Sequence, residues 1–145
     1  MREKVFIDTS AWISLVAARD PHHRAMADEW LMLLNGGIIP VTTSDVISET
    51  ITYLRRYASH AVAVQFYTFI KEAESEQRLA IAWVNEPLFA EAWEIFTKYA
   101  DQKFSAVDCT SFALCMRERI KRALTLDHHF AIVGIRPIPE TLAGA

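Results

Sequence analysis

The stretch Lys4-Val5-Phe6-Ile7-Asp8-Thr9-Ser10-Ala11-Trp12 decides the fold. Lys4 to Asp8 reads as a short buried strand, and the hydroxyls of Thr9 and Ser10 are suited to cap a helix beginning near Ala11. A carboxylate therefore stands at the C-terminal end of a strand that passes straight into a helix.

The same alternation continues along the chain. Asp20 as N-cap, Pro21 at the first helical position and Asn35-Gly36-Gly37 as the stop delimit a helix running through Leu34. Ile38 to Val41 is a second strand, and Thr42 to Asp45 supply caps. Val46 to Tyr57 then forms a helix with Ile47, Ile51 and Leu54 on one stripe and Glu49 at its margin. A helix from about His60 to Glu76, a strand from Leu79 to Val84 and a helix from about Pro87 to Tyr99 come next. Phe104 to Ile120 is helical and apolar almost all round as far as Met116, which predicts a central position. Ala123 to Leu126 is a strand ending on Asp127, and Arg136 to Ile138 a short last strand. Strands separated by helices predict an α/β fold, a parallel sheet with helices on both faces joined by right-handed crossovers.

With 145 residues, 52% hydrophobic and 23% charged, and few Gly or Pro, the chain suits one globular domain over residues 1–139, with residues 140–145 as a frayed tail. A net charge of -3 does not attract polyanions, so nucleic acid would be met through local basic patches or bound cations. Cys109 and Cys115 fall on different faces of one helix and are not expected to bond; reduced thiols suit the cytoplasm. The basic, apolar start looks like a secretory leader, but Asp8 interrupts it. No stretch approaches the roughly 20 uncharged apolar residues that span a bilayer. The expectation is a soluble, cytoplasmic protein.

In open α/β sheets, ligands bind beyond the C-terminal strand ends near a topological switch point, and Asp8 and Asp127 both occupy such ends. Taken singly, each also reads as a cap or turn residue. Asp108 has two readings as well. Ser105-Ala106-Val107-Asp108 matches a capping box, while Asp108 shares a helix face with Phe112 and Cys115 and so can turn towards the interior. Glu49 alone is an ordinary helix residue. Together the acids assemble at one sheet edge, where clustered carboxylates require raised pKa values or a divalent cation. Hard oxygen ligands select Mg²⁺ or Mn²⁺.

Four segments carry a resemblance: FIDTSAW (6–12), SDVISETITYLRR (44–56), FSAVDCTSFAL (104–114) and LTLDHHF (124–130). In order and spacing, from about Lys4 to Pro139, they resemble the PIN-domain nucleases, in particular the VapC-type toxin ribonucleases. The resemblance implies a three-layer α/β/α sandwich with a small parallel sheet, usually dimeric. It implies that Asp8, Glu49, Asp108 and Asp127 form the catalytic set, holding one or two Mg²⁺ or Mn²⁺ ions, and that an antitoxin partner exists. Cys109 replaces a residue that is frequently small, and Asp101 offers one more acid that would assist or substitute for a ligand.

On that reading Asp8 and Asp108 are direct ligands, Asp127 a direct or water-mediated one, and Glu49 orients the attacking water or its metal. Thr9 and Ser10 cap the helix or hold a phosphate or a metal-bound water. Because water attacks, the chemistry makes no demand for a 2'-OH, and RNA as substrate rests on the resemblance. Arg55 and Arg56 are candidate phosphate contacts, Arg56 the better because it lies seven residues beyond Glu49 on one face. The basic residues from Arg117 to Arg122 read mainly as a solvated helix face. His22-His23 and His128-His129 lack zinc-site company and read as surface or turn residues. The four Trp residues read as core or dimer contacts.

A haloacid dehalogenase-type phosphatase needs a second acid where Ser10 stands, and a receiver-type phosphoacceptor needs its key Asp directly after the middle strand, Leu79 to Val84. Neither pattern is present. The remaining alternatives are a PIN-fold RNA-binding or regulatory module with weak or no catalysis, and an RNA-processing nuclease without an antitoxin.

Overall fold

The computed structural model describes residues 2–140 and Leu142. Its elements are β1 (Lys4–Ile7), α1 (Thr9–Val16), α2 (His23–Asn35), β2 (Ile39–Thr43), α3 (Ser44–Tyr57) and α4 (His60–Ser75). They continue with β3 (Ala80–Ala82), α5 (Glu86–Lys98), α6 (Ala106–Glu118), β4 (Arg122–Leu124), α7 (His129–Ile132) and β5 (Arg136–Ile138). The strands form one sheet in the order β3-β2-β1-β4-β5. Every pairing is parallel. The chain starts in the middle, winds outward through β2 and β3, and returns to wind outward the other way through β4 and β5. The switch in winding falls between β1 and β4, the place where such sheets bind ligands.

The expected α/β architecture, a parallel sheet flanked by helices, is therefore observed. Phe6 and Ile7 of β1 are fully buried, and Leu124 of β4 with them. Trp12 on α1 is buried against Trp30 and the α4 rings of Phe66 and Phe69, at centroid distances of 5.6, 5.8 and 6.4 Å. Helix α6 is buried without a break from Cys109 to Cys115, as its all-round apolarity predicted. Its two hydroxyls are satisfied inside the core: Ser111 donates to the Val107 carbonyl, and the single Thr110 hydrogen is shared between that carbonyl and Asp45 of α3. Cys109 and Cys115 are buried and free. Trp83 and Trp93, in contrast, are more than half exposed.

Several boundaries differ from the sequence reading, for local reasons. Thr9 and Ser10 lie inside α1, and Asp8 takes the N-cap position with extended backbone but no side-chain cap bond. Its carboxylate is committed elsewhere, while its carbonyl accepts the Ala11 and Trp12 amides, both at 3.1 Å. Asp20 makes an Asx turn, accepting the His22 amide at 2.8 Å, so α2 starts later than Pro21. The stop after α2 holds: Ile38 N-H bonds Leu33 O, Gly37 N-H bonds Leu34 O, and Gly37 has φ +71°, which glycine adopts without steric cost. Strand β4 ends at Leu124, leaving Asp127 in the loop beyond it, and the single-turn α7 is too short to show periodicity. In the tail, Glu140 pairs with Arg136; Thr141 and residues 143–145 lie outside the described residues. No described helix is long and apolar enough to cross a membrane.

Candidate active site

Ile7 pairs with Leu124 in the sheet register, so the residues that follow, Asp8 and Thr125, leave the C-terminal edge side by side. The Asp8 amide donates to the Leu124 carbonyl at 3.1 Å. The Thr125 hydroxyl donates to Asp8 Oδ2 at 2.8 Å, and its oxygen accepts the Asp127 amide at 2.9 Å. The Thr125 hydroxyl is directed at Asp8, and Ser10 Oγ lies 3.3 Å from Thr125 Oγ1 and 3.5 Å from Asp8 Oδ2, with its one hydrogen shared between them. Ser10 Oγ accepts the Leu126 amide at 2.9 Å. One hydroxyl net therefore ties the two strand ends together and fixes the direction of the Asp8 carboxylate. Ser10 works in this net and not as a cap.

Burial is the largest influence on Asp8 and pushes its carboxyl up to about 7; the Thr125 hydroxyl and Thr9 amide oppose the shift, and the charges of Asp108 and Asp127 add to it. Asp108 arrives from the first turn of α6. The expected capping box is present: the Ser105 amide donates to Asp108 Oδ2 at 2.9 Å, and the Asp108 amide donates to Ser105 Oγ at 3.0 Å. Its pKa is also raised, first by burial and then by Asp127, against the Ser105 bonds and His129. Asp108 thus caps its helix and faces the other acids at once.

Asp127 Oδ1 accepts the His129 amide at 2.9 Å, an Asx turn that opens α7 and swings the His129 ring inward. His129 Nδ1 lies 3.4 Å from Asp127 Oδ1 and 3.5 Å from Asp108 Oδ2. Both are ion pairs when the ring is protonated, but among the described residues this buried nitrogen has no hydrogen-bond partner, and neither has Thr9 Oγ1. Mutually repelling carboxylates, two of them shifted upward by burial, beside an orphaned imidazole nitrogen form a donor set short of positive charge. Ligating atoms of Asp127, His128 and His129 already lie within 4.8 Å of one another. The carboxylate oxygens of Asp8, Asp108 and Asp127 are the hard donors that suit Mg²⁺ or Mn²⁺, whereas the Asp127, His128 and His129 group offers one oxygen and two imidazole nitrogens.

Sequence reasoning did not select Thr125 or His129. His129 was expected at the surface or in a turn; it does begin the α7 turn, but its ring is packed edge-on against Phe104 at 5.1 Å and turned to the acids. An Asp followed two residues later by His after a strand is the signal that was available. His128 is exposed, as expected.

Glu49 stands apart from the buried nest. It is exposed on α3 and lines an open groove of about 500 Å³ with Asp45, Ser48, Thr52, Tyr53, Arg56, Tyr57 and, from α6, Val107, the neighbour of Asp108. Arg56 thus shares a groove with Glu49, whereas Arg55 lines a different depression, between α3 and α4, with His60 and Tyr67. Asp101 is exposed in the turn after α5 and is not among the charges that shift Asp8 or Asp108. The Cys109 thiol is pushed up to about 11, mainly by burial and then by Asp108, so it stays protonated and unreactive.

Comparison with known proteins agrees with this fold. The chain is homologous to the 23S rRNA-specific endonuclease VapC20 of Mycobacterium tuberculosis, 28% identical over 141 residues that cover 92% of this chain and 98% of the relative. The crystal structure of VapC20 from that organism, described as a Sarcin-Ricin loop cleaving toxin, superposes with a TM-score of 0.81 at 27% identity, over 90% of this chain and 95% of that one. VapBC2 from Rickettsia felis, solved with a promoter DNA fragment, shares the fold with a TM-score of 0.70 at 11% identity, over 92% and 96% of the two chains. Residues 5–135 match the PIN domain, and the chain belongs to the PIN domain family.

Proposed function

We propose that this protein is a Mg²⁺- or Mn²⁺-dependent endoribonuclease, acting as the toxin of a toxin-antitoxin pair. The observation that carries the reading is the convergence of Asp8, Asp108 and Asp127, distant in sequence, beside the orphaned His129 nitrogen at the sheet's switch point. Asp8, Asp108 and Asp127 would hold one or two cations. When bound, such a cation supplies acidity to a coordinated water and offsets charge on the phosphoryl oxygens.

The chain's own residues do the rest. Thr125 and Ser10 hold Asp8 in one orientation, so its lone pairs are aimed before any cation arrives. The Ser105 cap does the same for Asp108. Glu49, at the open side, orients the attacking water, and Arg56 beside it neutralises a phosphate of the bound strand. RNA as substrate is carried by the relationship to an rRNA endonuclease, since hydrolysis by water does not itself require a 2'-OH. The likeness to VapBC2 supports an antitoxin partner, and a homodimer is part of the same reading, implied by the family resemblance alone.

Protein purified free of any partner is expected to cleave cellular RNA with Mg²⁺ or Mn²⁺, to stop in EDTA, and to resume when the metal is restored. The Asp8→Asn, Asp108→Asn double variant is expected to be inactive while its far-UV spectrum is unchanged. Wild-type protein that leaves a total RNA pool intact with either metal would instead favour a PIN-fold binding module. Growth arrest on expression, relieved by a protein encoded next to it, separates a toxin from an RNA-processing nuclease.

A further inference from the structure

The groove on α3 carries a feature that metal hydrolysis does not use. Tyr53 and Tyr57 follow Glu49 at four and eight residues, on the same helix face, and their rings lie 4.7 Å apart with an interplanar angle of 42°. Both rings face solvent, at 41% and 66% exposure. The Arg56 guanidinium sits 5.6 Å from the Tyr57 ring centroid. The face is graded along its length. Asp45 and Glu49 stand at the end near Val107 and Asp108, with Asp45 already bonded to Thr110, and the aromatic and cationic groups stand at the other end. At 1.5 Å rise per residue, Tyr53 lies about 6 Å and Tyr57 about 12 Å along the axis from Glu49, in a groove whose lining includes Val107, the residue before Asp108.

Another exposed aromatic stripe, Phe89, Trp93 and Phe96 on α5, lines an apolar hollow with Ala92, Ala106 and Cys109 and has no cation in that lining. The α3 face differs in chemistry: π-faces to stack on, hydroxyls to hydrogen-bond, and a guanidinium for phosphate. That is the combination single-stranded nucleic acid needs, because an unpaired base offers a π-face whatever its identity. A paired base presents none, being stacked within its duplex.

We propose that Tyr53, Tyr57 and Arg56 form a seat in the α3 groove for an unpaired base and its phosphate. The inference rests on the nuclease reading for its substrate, but its test reads binding, not cleavage. In EDTA, fluorescence anisotropy measures the affinity of the full chain for a labelled single-stranded oligoribonucleotide, and for the same strand annealed to its complement. Tyr57→Ala is expected to weaken single-strand binding about tenfold, within the span of stacking losses, and to leave duplex binding unchanged. Tyr57→Phe retains the ring and is expected to bind within about twofold of wild type. Both side chains are exposed, so thermal melts are expected to match wild type.

Single-strand affinity that is unchanged in both Tyr53→Ala and Tyr57→Ala overturns the seat. So does an affinity that falls only in step with a loss of dimer by sedimentation velocity, which would assign the tyrosines to an interface between copies. A protein that never cleaves RNA, yet loses single-strand affinity with Tyr57→Ala, keeps the seat and loses the nuclease.

Discussion

The buried acid nest and the open α3 groove are adjacent but built by opposite means. The nest is made by tertiary contacts: Asp8 is fixed by a hydroxyl 117 residues away, and every member is sheltered from solvent to some degree. The groove is made almost entirely by one helix, at helical spacing, and most of its lining faces water. The difference teaches what each is suited for. Shielded carboxylates that repel one another hold energy that a cation can release, whereas an exposed amphipathic face can meet a long, variable polymer without first having to open.

The sharpest way to break this division is to remove one acid from each region. Asp108→Asn is expected to lower cleavage by about 10³-fold, because it takes a preorganised charge from the sheltered side. It should weaken Mn²⁺ binding in a calorimetric titration as well. Glu49→Gln is expected to lower cleavage by about 10²-fold, in the range of a lost acid-base or water-orienting group, with Mn²⁺ affinity nearly unchanged. Equal losses of metal affinity in the two variants would erase the boundary between nest and groove.

The nest should also reveal itself through pH when metal is absent. The folded-state pKa of Asp8 is raised from 3.8 to about 7, so between those values the native state binds more protons than the unfolded chain. Stability from this group is complete below about pH 4 and is lost as the pH rises through 7, with Asp108 acting in the same direction. The size is on the order of 4 kcal/mol, or on the order of 10 °C in Tm. In EDTA, Asp8→Asn is expected to flatten this fall and to melt above wild type at pH 8. Mn²⁺ at about 100 times its Kd should return roughly 2.7 kcal/mol to wild type and less to the variant. An Asp8→Asn protein melting below wild type at pH 8 in EDTA would show that the ionised carboxylate carries no such cost.

This contrast also explains what could be read from the sequence. The helices α3, α4 and α5 carry their own periodicity and caps, so their limits fall within about two residues of expectation, and the parallel α/β class follows from their alternation with strands. The closeness of three of the four acids was legible because Asp8 and Asp127 follow strands and Asp108 shares a helix face with Phe112 and Cys115, whereas Glu49 lies on the exposed face of α3. Thr125 was not, because its part depends on Ile7 pairing with Leu124, a register that neither segment displays alone. Thr9 and Ser10 were read as caps since local rules favour hydroxyls there; the tertiary net around Asp8 took Ser10 instead. Tyr53 and Tyr57 were visible as residues, but their exposure is set by what α4 and α6 leave uncovered.

Thr125 offers a smaller perturbation of the nest. Thr125→Val keeps its shape but removes the donor to Asp8 and the acceptor for the Asp127 amide. Metal affinity is expected to fall about 10- to 100-fold, as when an outer partner of a ligand is lost, with Thr125→Ser recovering most of it. Val and Ser variants with equal affinity would mean that the methyl packing, not the hydroxyl, positions the site.

The smallest effect distinguishes two adjacent arginines. Arg56 shares the groove with Glu49 and lies over Tyr57, while Arg55 opens onto the α3-α4 depression with His60 and Tyr67. If the bound strand runs along the groove, only Arg56 meets a phosphate and releases its counterion. The dependence of log K on log salt for a single-stranded oligoribonucleotide should then lose about 0.7 from its slope in Arg56→Ala and keep the wild-type slope in Arg55→Ala. Both variants lose one formal charge, so a general electrostatic effect would move them together. A slope that changes equally in both, or only in Arg55→Ala, would move the path of the strand off the groove and towards α4.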